Sequence, residues 1–126
     1  MVGIVLVSHS KALAEALAAY TKMMAPDARV FAAGGLDDGS FGTSYDLISD
    51  AVEQAKEPDG AVVIMDMGSA VMTVKMVLED MDEEDVYMAD CPFVEGAVEG
   101  TVLAQAGSAA KDIVSALNGV SSQHKF

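Results

Sequence analysis

Four short apolar runs alternate along this chain with longer stretches of helical period. The first run, Val2–Val7, is almost wholly apolar, as a strand covered on both faces must be. Lys11–Met24 then reads as a helix, with Leu13, Leu17, Tyr20 and Met24 at three- and four-residue steps, and Pro26 prevents its continuation. The second run, Arg29–Ala33, is weaker and enters Gly34-Gly35 and the turn residues Asp37–Ser40. A second helix starts at Thr43-Ser44, both good N-caps, and carries Leu47, Ile48, Ala51, Val52 and Ala55 as far as Pro58-Asp59-Gly60. The third run, Ala61–Met65, ends in Asp66-Met67-Gly68-Ser69. A helix with Met72, Met76 and Leu78 follows and reaches the acidic stretch Asp80–Asp85. The fourth, Val86–Ala89, leads through Cys91-Pro92-Phe93 into a last helix over Val94–Leu117, which Gly107 can kink or interrupt. The tail from Asn118, residues 119–126 above all, reads as flexible.

Strand–helix pairs repeated in this way predict an α/β fold: a four-stranded parallel sheet with helices on both faces, in one domain over residues 1–126. Right-handed crossovers leave few topologies, and the common order 2-1-3-4 makes the first and third strands neighbours. There is no internal repeat, low-complexity tract or linker.

In such a sheet every strand's carboxyl end lies on one edge, where open α/β sheets bind their ligands. Ser8-His9-Ser10, Gly42-Thr43-Ser44, Asp66-Met67-Gly68-Ser69 and Cys91-Pro92-Phe93 therefore converge. His9 and Asp66 end adjacent strands. A carboxylate on one ring nitrogen would fix the imidazole tautomer and leave the other nitrogen free as a nucleophile. Helix N-termini supply backbone N–H groups to a phosphoryl group, and Ser10, Thr43, Ser44 and Ser69 can add hydroxyls. These loops carry no cation besides Lys11, which suits a carrier that must release its cargo. Residue by residue, the bland readings stand beside this one: His9 as a polar loop residue, Asp66 as a turn or cap residue, Thr43-Ser44 as a capping pair.

Other chemistries fit less well. No GxGxxG or GxxxxGK[ST] follows a strand, and no serine sits on a glycine-flanked elbow. Cys91 stands alone and His124 lies in the tail, so no zinc site is expected; Asp80–Asp85 lacks calcium-loop spacing. The methionines around the third strand and helix read first as core filling, with Met72 and Met76 as an alternative interface between two copies.

Of the 126 residues, 20 are acidic and 7 basic, for a net charge of −13. Nucleic acid and anionic membranes call for a basic face, so neither is expected as a partner; docking to a protein with a basic patch is permitted, but the charge alone reads first as solubility. No run approaches the roughly 20 apolar residues of a membrane span. The N-terminus lacks the signature of a secretory signal, and one cysteine fits a reducing compartment, so a cytoplasmic location is expected.

Four segments carry a family resemblance: Gly3–Ser10, Gly42-Thr43-Ser44, Asp66–Met72 and Pro92–Ala97, in order over nearly the whole chain. Together they resemble the phosphotransferase subunits of phosphoenolpyruvate-dependent dihydroxyacetone kinases, whose domain is similar to enzyme IIA of the mannose-type sugar phosphotransferase system. The resemblance implies that phosphocarrier HPr phosphorylates His9. The phosphoryl group then passes to ADP held in the kinase's ADP-binding subunit, and the ATP formed there phosphorylates dihydroxyacetone. It further implies that Asp66 orients the imidazole and that Ser8, Ser10, Thr43, Ser44 and the Gly68-Ser69 turn line the site. Also implied are the absence of any cofactor on this chain beyond the partner's ADP/ATP, a homodimer, and a donor that comes in trans. One departure stands out: where the family commonly continues Asn-Ala-Glu after Met72, this chain has Thr73-Val74-Lys75. An enzyme IIA for sugar uptake and a non-catalytic module of the same fold are the competing readings.

Overall fold

The computed structural model describes residues 1–126. Its elements run β1 (Gly3–Ser8), α1 (Lys11–Thr21), β2 (Arg29–Gly34), α2 (Tyr45–Ala55), β3 (Ala61–Met65), α3 (Gly68–Met81), β4 (Val86–Ala89), α4 (Phe93–Gln105) and α5 (Ala110–Asn118), then a 3₁₀ turn at Val120–Ser122. All pairings are parallel and the strand order is β2-β1-β3-β4. The doubly covered parallel sheet read from the sequence is the observed fold.

The apolar run of β1 explains the layering. Ile4 and Leu6 point to one face, into a core with Leu17 of α1, Ala97 and Ala104 of α4, and Ile113 and Leu117 of α5. Val5 and Val7 point to the other, against Ile48 and Val52 of α2 and Ala70, Val74 and Val77 of α3. Successive strand residues alternate faces, so a strand sandwiched between two helix layers can spare no polar position. No helix is long and apolar enough to cross a membrane.

Three expectations need correction. Helix α1 ends at Thr21, not Met24, and buries Ala14, Leu17 and Thr21, while Leu13, Tyr20 and Met24 stand in solvent. The reason is close approach at the start of the helix: a Cβ on Gly34 of β2 would come within 2.8 Å of the Ala14 Cβ, so the small Ala14, not Leu13, faces the strand there. The last helix is two. Gly107, at φ +94°, ends α4; its N–H bonds to the Ala104 carbonyl and that of Ser108 to Leu103, the Schellman pattern that glycine favours. The ordered chain also reaches further than expected. The Asn118 side chain accepts the Asp90 N–H at 3.0 Å, and Val120 packs into the core.

The methionines divide. Met65, Met81 and Met88 pack against the α2–α3 core, as core filling predicts, whereas Met67, Met72 and Met76 are exposed.

Candidate functional site

Parallel register places the site. Val7 of β1 lies beside Met65 of β3, and the next N–H, that of Asp66, bonds to the Val7 carbonyl at 3.0 Å. Ser8, His9 and Asp66 therefore leave the sheet side by side. The His9 Nδ1 lies 3.0 Å from Asp66 Oδ1. The other carboxylate oxygen, Oδ2, accepts the His9 backbone N–H at 3.1 Å and the Ser8 hydroxyl at 2.9 Å. On the far side of the ring, Nε2 lies 2.8 Å from the Ser69 Oγ.

Burial of Asp66 by itself would raise its pKa. The His9 N–H, the Ser8 hydroxyl and the His9 ring together outweigh it, and the carboxyl is held below its ordinary value. An ionised Asp66 can only accept, so Nδ1 carries the proton. Nε2 then presents a lone pair, to which the Ser69 hydroxyl donates. The ring is held at both nitrogens yet keeps 26% of its side chain exposed, against 11% for Asp66. The imidazole is thus oriented by its two partners, and in its neutral form Nε2 would be the nitrogen able to act as a nucleophile.

The other residues anticipated at the site divide by task. Ser8 is buried; its Oγ also accepts the Ser10 N–H at 3.0 Å, which closes the turn that carries His9. Ser10 caps α1, accepting from the Leu13 N–H at 3.1 Å. Ser44 caps α2 in the same way at 3.2 Å and donates to Asp37 at 3.0 Å, so its hydroxyl is engaged away from His9. Gly68 opens α3 with open space where a Cβ would stand. The first N–H groups of that helix have no intrahelical acceptor. Thr43 sits in the loop between β2 and α2, which the Gly42 N–H pins to the His9 carbonyl at 2.9 Å. Its hydroxyl meets that of Thr73 at 3.1 Å.

Thr73 is the residue that sequence reasoning missed as part of the site. Its signal was helical spacing: Ser69 and Thr73 are four apart, on one face of α3. The fourth converging segment contributes no nucleophile. Burial, with Asp90 and Glu99 nearby, pushes the Cys91 thiol up to about 11. Lys11 lines a cleft of about 500 Å³ along β2, between α1 and α2, and a second cleft of about 570 Å³ opens between Asp66 and Cys91. Neither is lined by His9.

Comparison with known proteins identifies the family. A family model, EIIA-man, described as the PTS system fructose IIA component, matches residues 3–114. The phosphoryl donor subunit DhaM of a PEP-dependent dihydroxyacetone kinase from Listeria innocua is 38% identical over 95 residues, covering 75% of each chain. The phosphotransferase subunit DhaM of the Lactococcus lactis PTS-dependent dihydroxyacetone kinase is 36% identical over 106 residues, 84% of this chain and 85% of its own. A crystal structure of a protein of unknown function superposes with a TM-score of 0.79 at 28% identity, covering 94% of both chains. The chain belongs to the mannose-type enzyme IIA family of phosphotransferase-system components, the family that includes the DhaM phosphoryl donor subunits.

Proposed function

We propose that this chain is the phosphoryl donor subunit of a PEP-dependent dihydroxyacetone kinase, relaying a phosphoryl group through His9. One observation carries the reading: Nδ1 is tied to Asp66 at 3.0 Å while Nε2 meets the Ser69 hydroxyl at 2.8 Å. In the first step the Nε2 lone pair forms an N–P bond to the phosphoryl group of phosphorylated HPr. The donor's own N–P bond breaks, and its electron pair returns to the donor's imidazole. The Nδ1 proton stays on the ring, and Asp66 stabilises the positive charge that phosphorylation leaves there. The Ser69 hydroxyl, no longer bound to the Nε2 lone pair, turns to a phosphoryl oxygen beside the free N–H groups at the start of α3. In the second step an oxygen of the ADP β-phosphate, held in the kinase's ADP-binding subunit, takes the phosphoryl group and Nε2 regains its lone pair.

The similarity to DhaM subunits of dihydroxyacetone kinases favours such a kinase over a sugar transporter as the destination. No cationic side chain is bonded to His9, which suits a phosphoryl group held for onward transfer. The reading places the chain in the cytoplasm, with HPr and the kinase subunits as partners; this chain needs no cofactor of its own, and the ADP/ATP stays with the partner. Reconstitution tests it. With phosphoenolpyruvate, enzyme I, HPr, the two other kinase subunits and dihydroxyacetone, product should form only when this chain is added. The His9→Ala variant should yield none. Product formation with His9→Ala would exclude the relay.

A further inference from the structure

The three helical threonines of this chain dispose of their hydroxyls in two ways. Thr21 in α1 and Thr101 in α4 turn back on their own helices and donate to the carbonyls three residues before, those of Ala18 at 2.7 Å and Val98 at 3.0 Å. Such back-bonding is the ordinary fate of a threonine hydroxyl inside a helix. Thr73, in the second turn of α3, meets the Thr43 hydroxyl at 3.1 Å instead. Both residues are half-buried, and neither hydroxyl has a second partner in the protein. The pair closes a circuit around the imidazole. The N–H of Gly42, next to Thr43, bonds the His9 carbonyl at 2.9 Å. Ser69, four residues before Thr73 and so on the same face of α3, lies 2.8 Å from Nε2. Thr43 is therefore tied both to the loop that touches the His9 backbone and to the helix that touches its ring.

Two hydroxyls carry two hydrogens, and the bond between them uses one. Were Thr43 the donor, the spare hydrogen would stand on Thr73, which makes no bond to a carbonyl of its own helix. With Thr73 as donor, the spare hydrogen stands on Thr43, beside the Gly42 link to His9. We propose that Thr73 is a positioning residue: its hydroxyl donates to Thr43 and so aims the Thr43 hydrogen at an oxygen of the phosphoryl group carried on Nε2. The proposal rests on the relay reading above. It adds a donor from the loop between β2 and α2 to those that α3 supplies, the Ser69 hydroxyl and the first N–H groups of the helix. A bond into the Thr43 oxygen makes that hydroxyl a better donor, because hydrogen bonds in a chain polarise one another. A neutral hydroxyl also suits the task. Its bond strengthens as charge builds on the phosphoryl oxygens during transfer, yet it adds no fixed positive charge to hold the group back. Thr73 is one of the three residues, with Val74 and Lys75, at which this chain departs from the family's common pattern.

The test is a cycle of variants, Thr73→Val, Thr43→Val and the two together, in single-turnover transfer from phosphorylated HPr. Valine keeps the shape of threonine and removes the hydroxyl. In Thr73→Val the saturating rate should fall about three- to tenfold, the effect of one hydrogen bond, with the half-saturating HPr concentration unchanged. Thr43→Val should lose as much or more. The double variant should be no slower than Thr43→Val, because Thr73 acts only through the Thr43 hydroxyl. Circular dichroism should show native helix throughout, and Thr73→Ala, a better helix former, should give the same loss if valine disturbs α3. A wild-type rate in Thr73→Val overturns the proposal. A further loss in the double variant also overturns it, since Thr73 would then act apart from Thr43. So does a raised half-saturating concentration at an unchanged saturating rate, which would make Thr73 a contact for HPr. Wild type that takes up no phosphoryl group from a donor of verified activity would refute the relay, and the role of Thr73 with it.

Discussion

At the residue scale the site is an arrangement of hydrogen bonds around one carboxylate. Asp66 takes the Ser8 hydroxyl, the His9 N–H and the His9 ring, so its removal costs both orientation and satisfied partners. Asp66→Ala should slow phosphoryl transfer by about 10²-fold or more. Stability should fall by about 1–3 kcal/mol, from the donors left unpaired, with the fold retained in circular dichroism. The depressed Asp66 pKa fixes the sign of a pH effect. A group that ionises more readily in the native state contributes stability above its unfolded value, and that contribution is lost as pH falls through the native one. Between neutral pH and about pH 5 the wild type should therefore be level in this respect. Below the ordinary carboxylate value of 3.8 it should lose stability more steeply than Asp66→Asn in denaturant titrations. His9 and Asp66 were legible in the sequence because each stands just past the end of an apolar run, and parallel pairing forces such positions together. The division of labour among the hydroxyls was not. Serine and threonine at a helix start read equally as cap or ligand, and only the structure shows Ser10 and Ser44 capping, Ser8 holding Asp66, and Ser69 on Nε2.

At the scale of elements, the spacing between β2 and α1 sets where His9 stands. Gly34 lets the two touch: a Cβ there would lie 2.5 Å from the Ser10 carbonyl oxygen and 2.8 Å from the Lys11 Cα. Backbone atoms cannot move aside as a flexible side chain can. Gly34→Ala should destabilise the protein by about 1–3 kcal/mol in thermal or denaturant melts. It should also slow transfer, because it pushes the Ser8-His9-Ser10 turn off Asp66. A variant with wild-type stability and rate would show that this approach is not constraining. The same contact explains why the buried face of α1 was misread. Periodicity favours the large residues Leu13, Tyr20 and Met24, whereas a helix lying this close to its strand turns Ala14, Leu17 and Thr21 inward. Strands β3 and β4 were read to the residue, since Gly60 and the acidic stretch Asp80–Asp85 bound continuous apolar runs.

Over the whole molecule, two cores share one sheet, and an excess of negative charge covers them. Self-repulsion at −13 opposes the compact state and is screened by salt. The melting midpoint should rise between low and physiological ionic strength; a fall would show that exposed ion pairs, such as Lys56 with Glu53 and Glu83, outweigh the repulsion. Strand order was legible at this scale because right-handed crossovers and one convergent edge leave little choice. The exposure of Met72 and Met76 was not, since composition cannot tell a methionine that fills a core from one that stands in solvent. The central claim is that His9 carries a phosphoryl group. Intact-protein mass spectrometry tests it most directly, after incubation with phosphoenolpyruvate, enzyme I and HPr, with His9→Ala in parallel. The account predicts one acid-labile phosphoryl group on the wild type and none on the variant. No addition to the wild type from a donor system of verified activity, or equal addition to both proteins, would contradict it.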